Sequence, residues 1–219
     1  CSFKVRLCLE EKGLEWQSHL LQLQKFEQFD PEYLKLNPNG VVPTLAHDGR
    51  VVTESTIIIE YLDDAFPDPP LKPSNPFARA QMRLWKKWSD DVGYAAVYIP
   101  TWDRVSRPVV EKFGDEELEE LLDRVPTAER RARWRQVARG GFSRGEFDGA
   151  YEKMESSFAR METTLADGPW LAGAEFSLGD IAMIPFIDRM LDLRADLVGA
   201  ERFPAVHDWY GRMQERPSF

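Results

Sequence analysis

Two places in this chain set reactive side chains where the backbone could assist them. The first is Cys1-Ser2, at the head of a segment, CSFKVRLCLEEKG, that reads as a helix stopped by Gly13. A thiol or hydroxyl at a helix N-terminus is acidified by the helix dipole, and Lys4 and Arg6 add positive potential. Such a group can stabilise a bound thiolate or act as a nucleophile. The plainer roles are an N-cap for Ser2 and no role for Cys1. The second place is Glu54-Ser55, where a strand at Val51–Thr53 hands over to a helix marked by Ile57, Ile58, Tyr61 and Leu62. Free N–H groups and the dipole make that junction a seat for an anionic group. Between the two lies an apolar strand, Val41–Leu45, with Pro43 inside it, a residue that a central strand does not tolerate. A cis Val42–Pro43 bond would turn the Val42 backbone outward to pair with an extended ligand. These pieces predict a docking groove for a small acidic peptide. An edge hairpin packed on a helix is the simpler alternative.

The elements that would position these groups follow from the pattern around them. Asp48-Gly49 predicts a hairpin turn between the two strands. Glu15–Leu23 alternates loosely and reads as a further strand, and Lys25–Leu36 as a loop and short helix introduced by Asp30-Pro31. Pro67, Pro69, Pro70, Pro73 and Pro76 form a break that neither helix nor strand crosses. The expected division is therefore residues 1–66, a linker at 67–76, and an all-helical part at 77–219. Its helices are predicted at Phe77–Arg104, Asp115–Arg139, Phe147–Ala166, Leu178–Leu191 and Ala205–Glu215. Ser177-Leu178-Gly179-Asp180 is an acidic capping box, which makes Asp180 structural.

Composition excludes several classes. The chain has 219 residues, 43% hydrophobic and 30% charged, as expected of a globular protein with a real core. A net charge of −9 argues against nucleic acid or an anionic membrane as the main partner. The run AERRARWRQVARGGFSR is basic and contains Trp134, a pattern compatible with nucleic-acid stacking. The acidic stretch Glu116–Asp123 beside it favours a solvated face of paired charges. No apolar run reaches the length of a membrane span, and no signal peptide is visible. Cys1 and Cys8 on one helix would stand about 10 Å apart, too far for a disulfide, and free thiols fit a reducing compartment. His19, His47 and His207 are scattered, so no metal-ligand spacing and no Ser-His-Asp triad arise. Gly140-Gly141 lacks the Lys-Ser/Thr of a phosphate loop.

VVPTL, the Asp-Gly hairpin and TES together resemble the glutathione-site motif of cytosolic glutathione transferases. The resemblance implies the glutathione transferase fold, an α/β thioredoxin-like N-terminal domain followed by an all-α C-terminal domain. It implies that Val42, before cis-Pro43, pairs with the cysteinyl backbone of glutathione, and that Glu54 and Ser55 hold the γ-glutamyl end. Lys25, Gln28 and Lys35 could reach the glycine carboxylate. CSFKVRL is similar to both the zeta branch and the glutathione-dependent dehalogenases. In the dehalogenases the residue matching Cys1 is catalytic, whereas in the zeta branch the active serine lies just upstream. Cys1 stands ahead of Ser2 as the catalytic candidate. The family also has a strand before this first helix, so the sequence is expected to start part-way, and to end just past the last helix.

In the family the long helix walls the pocket of the apolar co-substrate, which makes Tyr94, Tyr98 and Trp102 substrate-binding candidates. Asp90 or Asp91 could reach a ligand's ammonium across a dimer. KFEQ, KPSNPFARAQMR and VPTAERRARWRQ are similar to bacterial β-aryl-ether-cleaving transferases. The implied function is attack of the glutathione thiolate on a hydrophobic aromatic electrophile, by β-aryl ether cleavage or reductive dehalogenation. Glutathione would be the co-substrate, with no metal, in a cytoplasmic homodimer. The non-enzymatic alternative is a transferase-fold module for protein interaction.

Overall fold

The computed structural model describes residues 1–219, and no segment is left out. Helix α1 spans Ser2–Glu11 and buries Val5, Leu7, Cys8 and Leu9. Its end is a left-handed Gly13, φ +61°, a conformation that costs glycine nothing. The strand expected at Glu15–Leu23 does not form. Residues 14–22 carry neither helix nor strand, and Leu20 keeps 85% of its surface exposed. An alternating segment becomes a strand only where a neighbour supplies a ladder, and none does here.

A pair of short turns at Leu23–Lys25 and Glu27–Phe29 leads into α2, Pro31–Leu36, with its proline at the first helical position. The sheet is a two-stranded hairpin. Strand β1 (Thr44–His47) pairs antiparallel with β2 (Arg50–Thr53), Thr44 opposite Thr53 and His47 opposite Arg50. The Asp48-Gly49 turn has φ +49° and +73°, the positive pair that a two-residue hairpin requires. Strand β1 begins one residue beyond Pro43 rather than at Val41, because proline has no N–H for the ladder. Helix α3, Ser55–Ala65, buries Ile58, Ile59 and Leu62 against α1. Deeper along the same face, Asp63 is bonded by Lys12 and by the Leu71 amide at 2.8 Å.

Residues 66–75 contain no helix or strand. From Pro76 to Val110 the chain is almost continuously helical: α4 (Pro76–Trp88), α5 (Tyr94–Thr101) and α6 (Arg107–Val110), separated by wide i→i+5 turns at 89–93 and 102–106. The helix expected at Asp115–Arg139 is two helices, α7 (Asp115–Arg124) and α8 (Ala128–Arg135), the latter running on through a wide turn at 136–140. Pro126 breaks it, since the residue before a proline avoids the helical region and Val125 lies at ψ 123°. Thr127 then caps α8 through the Arg130 amide. Helices α9 (Arg144–Leu165), α10 (Leu178–Arg194) and α11 (Pro204–Gln214) complete the chain.

The capping box of α10 forms as expected. Asp180 is fully buried and accepts bonds from the Ser177 and Leu171 amides and from Trp209 Nε1, so its role is architectural. The main core joins α1 and α3 to α4, α5 and α9–α11. A second, smaller core gathers Phe26 and Phe29 with Leu118, Leu122, Trp134 and Val137. That second cluster ties α7 and α8 back onto the loop before α2.

Candidate functional site

The loop preceding β1 is pinned by side chains. The Val41 carbonyl accepts bonds from Tyr33 Oη (2.5 Å) and Asn37 Nδ2 (2.8 Å), while Tyr33 Oη also lies 2.8 Å from Thr44 Oγ1. Asn37 is 1% exposed, and its Oδ1 accepts the Asn39 amide at 3.1 Å. The Val42–Pro43 bond is cis. Neither the amide nor the carbonyl of Val42 has a hydrogen-bond partner within the chain, so both remain available to a ligand. Backbone left free next to a carbonyl held twice is a rigid edge suited to pairing with an extended peptide.

At the other end of the hairpin, Glu54 is exposed and held at φ +66°, ψ 111°, a strained conformation of the kind that gathers at functional sites. Ser55 opens α3, where the first N–H groups have no helical carbonyl to bond. Ser55 is more enclosed than expected, at 7% exposure. Its hydroxyl has no partner within the chain, and its oxygen still reaches solvent.

Cys1 is exposed at the N-cap of α1 and makes no side-chain cap bond, while Ser2 is half-buried in the first turn. Both thiols are free. Cys8 is sealed in the core, where burial pushes its thiol up to about 12 and makes it inert. One turn into α1, the fully buried Lys4 donates to Ser89 Oγ (3.1 Å) and Asp90 Oδ1 (3.2 Å), and Thr56 Oγ1 donates to Asp90 Oδ2 at 2.6 Å. Burial lowers the Lys4 pKa and Asp90 opposes that shift. Asp90 therefore ties the starts of α1 and α3 together. The Asp90 carboxylate, one of two candidates for a contact across a dimer, is engaged within its own chain. Asp91 pairs with Lys87 at 2.6 Å.

A cavity of about 590 Å³ opens beside Val42. One wall is Gly40, Val41 and Val42; the opposite wall is a ladder of rings. Tyr94, Tyr98 and Trp102 repeat every four residues and so share one helix face. Ring centroids step from Tyr94 to Tyr98 (5.3 Å), to Trp102 (4.8 Å), to Trp134 (4.5 Å) and to Phe26 (5.3 Å). Trp134 is 7% exposed, so it belongs to this wall and its core rather than to a stacking surface for nucleic acid. Burial raises Tyr98 to about 12; Tyr94 is shifted in the same direction, although it keeps 45% of its surface exposed, and both are neutral donors near pH 7. Gln28 and Thr101 line the cavity, and Gln28 Oε1 and Thr101 Oγ1, both enclosed, have no partner in the chain. Unpaired buried polar atoms are costly, and binding sites are where proteins keep them.

The structure thus brings Val42, Tyr94, Tyr98 and Trp102 to one cavity. Cys1, Ser2, Pro43, Glu54 and Ser55 lie outside its lining. Of the three residues considered for the glycine end, Gln28 lines the cavity; Lys25 and Lys35 are exposed away from it. Phe26, Thr101, Arg130, Arg133 and Trp134 were not among the predicted site residues. Only the four-residue repeat continuing from Tyr98 pointed toward this face. No group of three or more His, Cys, Asp or Glu is arranged to hold a metal ion, and no helix is long and apolar enough to cross a membrane.

Comparison with known proteins shows the family to which this fold belongs. Residues 1–65 match the model of the glutathione S-transferase N-terminal domain, and residues 115–212 that of the C-terminal domain. Protein LigF of Sphingobium sp. (strain NBRC 103272 / SYK-6) is 39% identical over 99% of this chain and 86% of its own length. The crystal structure of the β-etherase LigF superposes with a TM-score of 0.93 at 38% identity, covering 99% of this chain and 91% of that one. A theta-class glutathione S-transferase from Xanthomonas axonopodis pv. citri, solved with glutathione bound, has a TM-score of 0.72 at 26% identity over 98% of this chain and 87% of its own. By fold, by family models and by relatives that span nearly all of it, the chain belongs to the glutathione S-transferase family.

Proposed function

We propose that this glutathione transferase cleaves or conjugates a two-ring aromatic electrophile, with β-aryl ether cleavage as the favoured reaction. The observation that carries the reading is the shared cavity: the free Val42 backbone on one side and the Tyr94–Tyr98–Trp102–Trp134 ladder on the other. Glutathione lies along Val42 and Pro43, with its γ-glutamyl carboxylate at Ser55 and its ammonium toward Glu54. Gln28, which lines the cavity and whose Oε1 bonds nothing in the chain, lies nearest the glycine end. Residues 1–66 bind glutathione, 77–219 carry the aromatic pocket, and 67–76 join them.

The thiol ionises beside the N-terminus of α1, releasing its proton to solvent. Lowering a thiol pKa by about two units requires about 2.7 kcal/mol, within reach of a helix terminus plus one hydrogen bond. Cys1 or Ser2 supplies that bond, with Cys1 first because it is exposed at the cap. The thiolate sulfur then forms a bond to the electrophilic carbon. The carbon–oxygen pair departs with the aryloxide, which takes a proton from solvent. The similarity to the β-etherase LigF supports the ether as substrate.

A homodimer in the cytoplasm completes the reading. Phe77 and Leu84 on α4, and Ile57 on α3, expose 73%, 47% and 55% of their surfaces, on helices linked by Arg83–Glu60. Retention on immobilised glutathione, followed by turnover of an α-aryloxy ketone by wild type, Cys1→Ala and Ser2→Ala, tests the function. Retention with release of a phenol is expected, and one substitution should remove most of the rate. A chain that neither binds glutathione nor releases a phenol would overturn the reading.

A further inference from the structure

The basic run at 130–144 is mostly accounted for by ion pairs: Arg133 with Glu146, Arg135 with Glu119, Arg139 with Asp115 and Arg144 with Asp148. Arg131 has no carboxylate partner, but its Nη1 donates to the Val125 carbonyl at 2.7 Å and it does not line the cavity, which sets Arg130 apart. Arg130 has no carboxylate partner either, and its one hydrogen bond is from Nη1 to the Asn39 carbonyl at 2.6 Å. A guanidinium carries five N–H donors in a fork, so most of its bonding capacity is uncommitted. Arg130 is half-buried and lines the cavity beside Tyr94 and Tyr98.

The phenols of Tyr94 and Tyr98 have no partner in the chain either. The nearby Arg133 stands 5.7 Å from the Tyr98 ring. On the far side of the two tyrosines is a second cavity of about 410 Å³, which shares Tyr94, Tyr98 and Arg133 with the first and adds Lys153. Its floor is Gly145 and Gly149 of α9, where an added Cβ would meet open space or only the Lys153 Nζ at 3.9 Å. The outer end of the ring ladder is therefore surrounded by donors and cations. The acidic groups there are Glu129, which is exposed to water, and Glu146, which is already held by Arg133, Gln136 and its Ser143 cap.

From this we infer that the aromatic co-substrate carries an anionic oxygen, a carboxylate on its outer ring, and that Arg130 with the Tyr94 hydroxyl recognises it. The inference rests on the cavity being the electrophile's pocket. A flat ring stacks along the ladder while its acidic substituent meets the guanidinium fork at the Tyr94 end, which is an arrangement suited to planar carboxylate recognition. Arg130 acts as a specificity determinant, through a contact to a part of the substrate that does not react.

Trp102 and Trp134 line the cavity, so their fluorescence reports binding directly. The test measures dissociation constants of 4-phenoxybenzoate and the neutral 4-phenoxybenzamide on glutathione-saturated protein, for wild type, Arg130→Gln, Arg130→Lys and Tyr94→Phe. Wild type is expected to bind the acid about tenfold more tightly than the amide, the ratio that one charge-assisted contact supplies. Arg130→Gln should erase that preference, Arg130→Lys should keep part of it, and Tyr94→Phe should reduce it. Equal binding of acid and amide by wild type, or equal weakening of both by Arg130→Gln, would overturn the inference alone. So would a loss of glutathione affinity with the acid preference intact, which would assign Arg130 to the glycine end. Binding of neither ligand to a protein that still holds glutathione would overturn the cavity's role as the aromatic pocket as well.

Discussion

The two walls of the cavity are built in opposite ways. On the proposed glutathione side, the groups that Gly40–Val42 offer to the cavity are backbone atoms, and Tyr33, Asn37 and Thr44 behind them hold the loop in place. On the aromatic side the recognising groups are side chains, brought together from α5, α8 and the loop around Phe26. In the proposed function the first wall presents a fixed shape to a co-substrate that never varies. The second can change with a few substitutions while the helices stay in place, which is how one fold comes to serve different electrophiles.

The largest effect expected is on the side-chain wall. Trp134→Ala removes a ring that belongs both to the ladder and to the second core, and should cost about 3–5 kcal/mol of stability in urea unfolding. The folded fraction should still bind glutathione while losing the aryl ligand. Comparable loss of both would mean that the walls are not independent.

Asn37→Ala attacks the other wall. It removes one of two donors to the Val41 carbonyl and the anchor of the Asn39 amide, at an expected cost of about 1–3 kcal/mol. The KM for glutathione should rise severalfold with the affinity for the aryl ligand retained. An unchanged glutathione KM would show that the pinned loop is not the peptide's seat.

Glu11→Gln is a contrast that touches neither wall. Burial pushes the Glu11 carboxyl up, but bonds from Arg216 and Ser218 outweigh it and leave the group below its usual range. A carboxyl depressed in the fold contributes stability above its unfolded value near 4.3. That contribution disappears as pH falls through the lower folded value. The substitution should cost about 1–2 kcal/mol at neutral pH and flatten the acid limb of the stability curve, without altering either ligand's affinity.

The smallest effect is a null between pH 7 and 10. Ordinary tyrosines would be half ionised at the upper limit, turning donors into repelling anions. Because burial raises Tyr98 to about 12 and shifts Tyr94 in the same direction, aryl-carboxylate affinity should stay flat across that interval. A decline centred near 10 would show that the phenols titrate normally.

The same asymmetry explains what the amino-acid sequence could reveal. The Asp48-Gly49 turn, the cis-proline loop and the capping box at Ser177–Asp180 are local, and each carries its own signal in neighbouring residues. Pro126 was equally local, yet the acidic and basic periodicity across 115–139 concealed the break that it makes. Glu15–Leu23 had strand alternation but no partner to receive it. The convergence of Phe26, Gln28, Arg130 and Trp134 depends on contacts between segments about a hundred residues apart, such as Arg124 with Asp30 and Arg130 with Asn39. The acidic neighbours indicated that most arginines would be paired. Which one would be left over the cavity depended on how α8 turns against the loop.

A crystal structure of the protein with glutathione bound tests the central claim most directly. The account predicts the cysteinyl amide and carbonyl paired with Val42, the γ-glutamyl carboxylate at the first turn of α3, and the sulfur directed toward the Tyr98–Trp102 face. A tripeptide that leaves the Val42 backbone unpaired, or lies with its sulfur turned away from those rings, would contradict it.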